Sequence, residues 1–254
     1  MANKVAVITG AASGIGCASA HRFAKEGYKL VLLDISPALE EIAKELSAQT
    51  EVLWRVADTA DEALSAQLVK EAYDRFGSID VLNCNAGIVL VKPVEDTMLS
   101  EVMRVLEVNL GGIFVMTKSV VPYMKKQRSG AIVNLGSISG HVGQLQHSIY
   151  GASKASVISF TRAIAWELAE YNIRVNSVSP GSVDTPMLRS DVQGESDRLG
   201  IPYDVLKKER EAEQAFNRWA DPSEIANAIY FLASDQASFV TGTDLLVDCG
   251  WAAK

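Results

Sequence analysis

Short runs of Val, Ile and Leu alternate with helix-like segments along this chain, and no other feature constrains its fold as much. The runs are Val5–Thr9, Lys29–Asp34, Glu51–Val56, Val81–Asn83, Ala131–Leu135, Arg174–Val178 and Leu245–Val247. They show little polar alternation, so each predicts a strand buried on both faces, as in a parallel sheet. Between them Gly14–Glu26, Pro37–Leu46, Asp61–Phe76, Ser100–Met124 and Ile149–Tyr171 read as helices. In the last of these Val157, Phe160, Ile164 and Leu168 form one apolar stripe. Gly27 suits the end of the first helix, and Pro122 is expected to bend or break the last turn of the fourth. Asp221-Pro222-Ser223 opens a further helix through Leu232.

That succession predicts an α/β fold: a single doubly wound parallel sheet of the Rossmann type, with helices on both faces. One domain over residues 1–254 is expected, with no repeat and no linker. Ligands on such sheets bind beyond the carboxyl ends of the strands. The first strand runs there into Thr9-Gly10-Ala11-Ala12-Ser13-Gly14-Ile15-Gly16. Glycines let the backbone approach a pyrophosphate, and the helix that follows offers free N–H groups and the positive end of its dipole. Asp34 ends the second strand, where a carboxylate can accept both adenosine ribose hydroxyls and repel a 2′-phosphate. Ile35 offers no compensating positive charge, so NAD rather than NADP is the expected cofactor. The plainer alternative is an aspartate capping the chain at Ser36–Pro37.

The formal net charge of −7 counts against a nucleic-acid or anionic-membrane partner. The apolar run after Met1-Ala2-Asn3-Lys4 is too short for a signal peptide, and no stretch approaches the roughly 20 apolar residues of a membrane span. Cys17, Cys84 and Cys249 lack metal-type spacing and read as buried free thiols in a reducing compartment, so no metal and a cytoplasmic location are expected.

Ser137 follows the strand Ala131–Leu135, and Tyr150 and Lys154 stand one helical turn apart farther on. A free tyrosine has a pKa of about 10, and bringing it to neutrality needs about 4 kcal/mol of preference for the phenolate. A close, partly desolvated ammonium and a cationic cofactor ring are the expected sources. Tyr–Lys pairs at this spacing are common on ordinary helices, so the spacing alone assigns nothing.

Thr9-Gly10 through Gly16, Cys84-Asn85-Ala86-Gly87, Asn109, Ser137, Tyr150-Gly151-Ala152-Ser153-Lys154 and Pro180-Gly181 together resemble the short-chain dehydrogenase/reductase family over nearly the whole chain. The resemblance implies that Tyr150 is the general acid/base and that Lys154 lowers its pKa and holds the nicotinamide ribose. It implies that Ser137 hydrogen-bonds the substrate oxygen and that Asn109 positions a proton-relaying water. Gly10, Ser13, Gly14, Ile15, Gly16 and Asp34 would bind the dinucleotide and Asp58 its adenine. Asn85, Ala86 and Gly87 would pass the adenosine ribose, while Pro180, Gly181, Val183 and Thr185 would shape the nicotinamide pocket. A homotetramer is implied as well. Cys84 replaces the first residue of the family's Asn-Asn-Ala-Gly, and Asp248-Cys249-Gly250 replaces its Asp-Gly-Gly.

On the substrate side Ser139, Gln144 and His147 are expected beside Ser137 and Tyr150, with Gln144 and His147 equally open to a solvent-facing reading. His141 and Gln146 are expected outside the pocket. Residues 187–215 read as a charged, mobile lid. Within it the run Lys207-Lys208-Glu209-Arg210-Glu211 reads as a solvated helix face, and Arg189 as a possible partner for a substrate anion. The expected reaction is hydride transfer between NAD and a secondary alcohol or ketone, the substrate a polyol, sugar or sugar-derived acid. The alternatives are an NADP-linked reductase of apolar ketones and a non-catalytic dinucleotide-binding sensor.

Overall fold

The computed structural model describes residues 4–253. Met1 to Asn3, part of the amino-terminal reading above, and Lys254 lie outside the described residues. The strands are β1 (Val5–Thr9), β2 (Lys29–Asp34), β3 (Val52–Val56), β4 (Val81–Cys84), β5 (Gly130–Leu135), β6 (Ile173–Pro180) and β7 (Asp244–Val247). They form one seven-stranded sheet in the order β3-β2-β1-β4-β5-β6-β7, with every pairing parallel. The helices are α1 (Gly14–Lys25), α2 (Leu39–Leu46), α3 (Glu62–Phe76), α4 (Leu99–Leu106), α5 (Gly112–Gln127), α6 (Ser148–Ala169), α7 (Pro186–Leu199), α8 (Tyr203–Ala212) and α9 (Pro222–Ala233).

Two cores explain why the strands lack polar alternation. Successive strand residues point to opposite faces. In β1, Ala6 and Ile8 join a core with Phe23 of α1 and Ile229 of α9, while Val5 and Val7 join another with Leu68, Met116 and Val157. In β2, Leu30 and Leu32 face the first core, Val31 and Leu33 the second. Both faces are covered by helices, so both must be apolar. The expected stripe of α6 lies on the second core through Val157, Ile164 and Leu168, with Phe160 packed against it.

The sheet order reverses at β1. The chain steps outward from β1 to β3, then returns to place β4 on the other side. The loops after β1 and β4 meet closely at their base: a Cβ on Gly10 would lie 2.8 Å from the Ala86 backbone N. The Thr9 hydroxyl accepts from Asn85 N and Ala86 N at 3.1 and 3.2 Å and ties the two strand ends together.

Several expectations need correction. Of the two expectations for Pro122, a break is not seen, since α5 continues past it to Gln127. The segment from Leu99 to Gln127 is long and apolar enough by length and composition alone to cross a membrane. Half of its most apolar window is buried in the protein, where Ile113, Met116 and Val120 pack on the sheet. Of the cysteines only Cys84 is buried; Cys17 and Cys249 are partly exposed. Burial pushes the Cys84 thiol up to about 12, which makes it an inert packing group. Cys249 adopts a φ of 51°, the left-handed region that glycine fills more readily.

Candidate active site

A cavity of about 430 Å³ opens over the carboxyl ends of the strands, at the switch point. Its inner floor is the glycine turn. Gly10 and Gly14 take positive φ values of 65° and 53°. A Cβ on Gly16 would fall 2.0 Å from the Gly10 carbonyl oxygen, so the turn and the first turn of α1 are in direct backbone contact. Ser13 precedes α1 without a side-chain cap, which leaves the helix N–H groups directed at the cavity. Ile15 lines it too.

One end of the cavity is acidic. Asp34 accepts from Ala12 N at 2.9 Å and Ser36 N at 2.8 Å, so it clamps the glycine turn to the end of β2. The capping alternative is therefore realised, yet the carboxylate also lines the cavity and keeps acceptor sites free. Asp58 lies beside it. The Ala60 backbone N–H, followed by the Arg104 guanidinium at 3.0 Å, holds its carboxyl below the usual range.

At the other end Ser137, Ser139, Gln144, His147 and Tyr150 share the wall. Ser137 ends the loop after β5 and opens a single 3-10 turn, Ile138–Gly140. That turn presses on α6: a Cβ on Gly151 would meet the Ser139 carbonyl oxygen at 2.7 Å. The contact delivers Tyr150, in the first turn of α6, to the same wall as Ser137, whose hydroxyl donates to Ser139 Oγ at 3.2 Å. His147 packs edge-on against Tyr150, ring centres 6.2 Å apart, and its Nδ1 is 2.7 Å from the Leu145 carbonyl oxygen. Ser139 donates to Gln144.

Two of the sequence-selected residues stand behind this wall. Lys154 is 3% exposed and donates to the Leu135 carbonyl oxygen at 2.8 Å. Asn109 is fully buried; its Oδ1 accepts from Ile88 N at 2.8 Å and its Nδ2 donates to Ile88 O and Ser153 Oγ at 3.0 and 2.9 Å. Gly87 of the cavity wall lies against both, for a Cβ there would lie 3.2 Å from Asn109 Oδ1 and 3.5 Å from Lys154 Nζ. Asn109 reaches inward from a π-helical turn, Glu107–Gly111, between α4 and α5. Replacing it with alanine is expected to destabilise the fold by about 2–3 kcal/mol, since it strands Ile88 N and Ile88 O, and urea unfolding will show it.

The Lys154 ammonium lies 5.9 Å from the Tyr150 ring centre. Burial lowers the lysine from its ordinary value to about 8. Burial raises Tyr150, the Ser137 side chain opposes that, and the Asp191 charge adds to it. The Lys154 ammonium donates to Leu135 O rather than to the phenol, and burial is the main influence on Tyr150.

Asn85, Ala86, Gly87, Pro180, Gly181, Val183 and Thr185 all line the cavity. His141 and Gln146 do not; His141 Nε2 sits 2.7 Å from Asp244 Oδ2. Arg189 is also outside, held by Asp184 at 2.6 and 2.8 Å on the outer side of α7, and is no anion partner for the cavity. The run Lys207–Glu211 is not uniformly solvated. Arg210 is 18% exposed, lines the cavity and pairs with Glu195 at 2.8 Å. Sequence reasoning missed Arg104, Asp191 and Arg210. No local signal marks them, because each enters the wall by the packing of its helix.

A doubly wound sheet with this turn and cavity defines a dinucleotide-type α/β protein. The chain belongs to the short-chain dehydrogenase/reductase family: a family profile described as enoyl-(acyl carrier protein) reductase matches residues 10–252. It is an oxidoreductase of a family that acts on alcohol groups with nicotinamide dinucleotides. Among its relatives is the cis-4-hydroxycyclohexanecarboxylate dehydrogenase of Sinomonas cyclohexanicum, 42% identical over 99% of this chain and 98% of that protein. NAD+-bound xylitol dehydrogenase superposes with a TM-score of 0.92 at 34% identity, covering 97% of this chain and 98% of the other. An actinorhodin polyketide ketoreductase with NADPH superposes at 0.95 with 33% identity over 100% of both chains.

Proposed function

We propose that this protein is an NAD-dependent dehydrogenase that oxidises a secondary alcohol of a polyol or sugar-like substrate, and reduces the ketone in reverse. The observation that carries this is the Ser137–Tyr150 pair on the wall of a cavity whose opposite end presents Asp34 beside the glycine turn. NAD, when bound, supplies the hydride acceptor and a cationic ring. The turn at Gly10, Ser13, Gly14, Ile15 and Gly16 would hold the pyrophosphate, Asp34 the adenosine ribose and Asp58 the adenine. Asn85–Gly87 would run beside the adenosine ribose, and Pro180, Gly181, Val183 and Thr185 would enclose the nicotinamide.

In oxidation the Tyr150 hydroxyl oxygen takes the alcohol proton while Ser137 donates to the same substrate oxygen as it becomes a carbonyl. Lys154 holds the cofactor ribose and contributes positive charge, and Asn109 anchors the proton path behind Gly87. Helices α7 and α8 would act as a lid that excludes water from the reacting carbon.

The two-cofactor question has a direct test. Asp34→Ala is expected to lower the ratio of kcat/KM with NAD to that with NADP by at least about tenfold, through loss of charge repulsion against the 2′-phosphate. A parent enzyme equally fast with NADP would reject the assignment. A screen of alcohols, polyols and sugar acids with NAD and NADP, read by absorbance of the reduced cofactor, tests the substrate class.

A homotetramer is the proposed assembly. Trp166 on α6 is 88% exposed, and Phe114 of α5, whose ring lies 6.4 Å from that of Phe160 on α6, is exposed as well, while Phe239 and Leu246 are exposed near β7. Light scattering measures the mass. A cytoplasmic location suits the three free thiols.

A further inference from the structure

The wall facing Tyr150 carries a carboxylate that the proposed reaction does not use. Asp191 lies on α7 and lines the same cavity as Tyr150, His147 and Gln144. The helix is held firmly: Thr185 Oγ1 accepts from Leu188 N at 3.3 Å, and Val192 packs on Leu206 and Trp219. Among the described residues, no hydrogen bond or ion pair satisfies Asp191. Burial pushes its carboxyl above the ordinary range, against the pull of His147 and Arg210 and with the push of Glu195. An acceptor held half-dry without a donor is costly unless a ligand brings one.

Two arginines of this region are engaged elsewhere. Arg210 donates to Glu195 at 2.8 Å and stands 4.0 Å from Glu213. Arg189 is turned outward onto Asp184. The arginines that line this cavity, Arg104 and Arg210, are both paired with carboxylates, while Arg198, which also acts on Asp191, lines the adjoining pocket.

We infer that Asp191 determines specificity by accepting a hydrogen bond from a second hydroxyl of the substrate, so that the cavity favours neutral diols and polyols and turns carboxylates away. This rests on the dehydrogenase reading and narrows it. A hydroxyl donating to a charged acceptor out of bulk water favours the diol over the matched monoalcohol by about tenfold to a hundredfold. A substrate carboxylate brought to the same place meets the Asp191 carboxylate and is repelled.

The test compares kcat/KM for cyclohexane-1,4-diol, cyclohexanol and cis-4-hydroxycyclohexanecarboxylate in the unchanged enzyme and in Asp191→Asn, an isosteric change that removes the charge. The unchanged enzyme is expected to prefer the diol to both others. The variant is expected to lose at least about tenfold of the diol-to-monoalcohol ratio and to narrow the gap to the carboxylate. An unmoved ratio overturns the role of Asp191 while leaving the dehydrogenase reading intact. A preference of the unchanged enzyme for the carboxylate does the same and needs no variant to fold. Failure of the unchanged enzyme to oxidise any of the three overturns both.

Discussion

Replacing Tyr150 with phenylalanine is expected to lower kcat by about a thousandfold while NADH affinity stays within about twofold. The change removes one oxygen and keeps the ring. That ring packs on His147 at 6.2 Å, so the wall of the cavity keeps its shape. What disappears is the proton acceptor on the wall it shares with Ser137. Ser137 alone can still polarise the substrate oxygen, which leaves a residual rate, but the alcohol proton has no placed acceptor. A structural role for Tyr150 would move the melting temperature and cofactor affinity instead, and fluorescence titration with NADH separates the two. A variant turning over at near-parental rate would sink the acid/base role.

The pH dependence of the parent enzyme follows from the same group. Burial raises Tyr150 above its ordinary value, so the phenolate is scarce at neutrality. Alcohol oxidation needs the deprotonated form and is expected to rise with pH, while ketone reduction needs the protonated form and is expected to fall. The Tyr150→Phe variant should lose this limb from its residual rate.

The fold was legible because its strands advertise burial on both faces. Val5, Val7, Ala6 and Ile8 are apolar for two different cores, and a continuous run is the only pattern that serves both. The residues of the glycine turn and of the Ser137–Tyr150 wall were legible for a related reason. They sit at fixed offsets from strand ends, where the topology gathers them. Asp191 and Arg210 were not, since the sequence of α7 and α8 does not say which side of a charged helix turns inward. The run Lys207–Glu211 contains one inward residue among its charges, and only packing on Leu206 and Trp219 selects it. The π turn at Glu107–Gly111 was hidden too, because so short an underwound segment lies between two helical runs and carries no residue signature of its own. Tyr150 and Lys154 show the limit of spacing arguments. One helical turn does separate them, yet the ammonium is directed at Leu135 rather than at the phenol.

Gly16→Ala is expected to weaken NADH binding by at least about a hundredfold, about 3 kcal/mol, while the sheet still folds. The added Cβ would stand 2.0 Å from the Gly10 carbonyl oxygen and 2.7 Å from its carbon, both backbone atoms. Gly10 cannot retreat, because its other side is closed by Ala86 at 2.8 Å from where a Cβ would be. The first turn of α1 must therefore lift away from the end of β1, taking its N–H groups out of reach of a pyrophosphate. The rest of α1 has no reason to unfold, since Ala20, Phe23 and Ala24 stay on their core. Gly194→Ala supplies the control: a Cβ there meets nothing within 4 Å, so cofactor affinity should not move. Fluorescence titration with NADH and a thermal melt decide the matter. Undiminished binding by Gly16→Ala would mean that the dinucleotide does not lie on this turn.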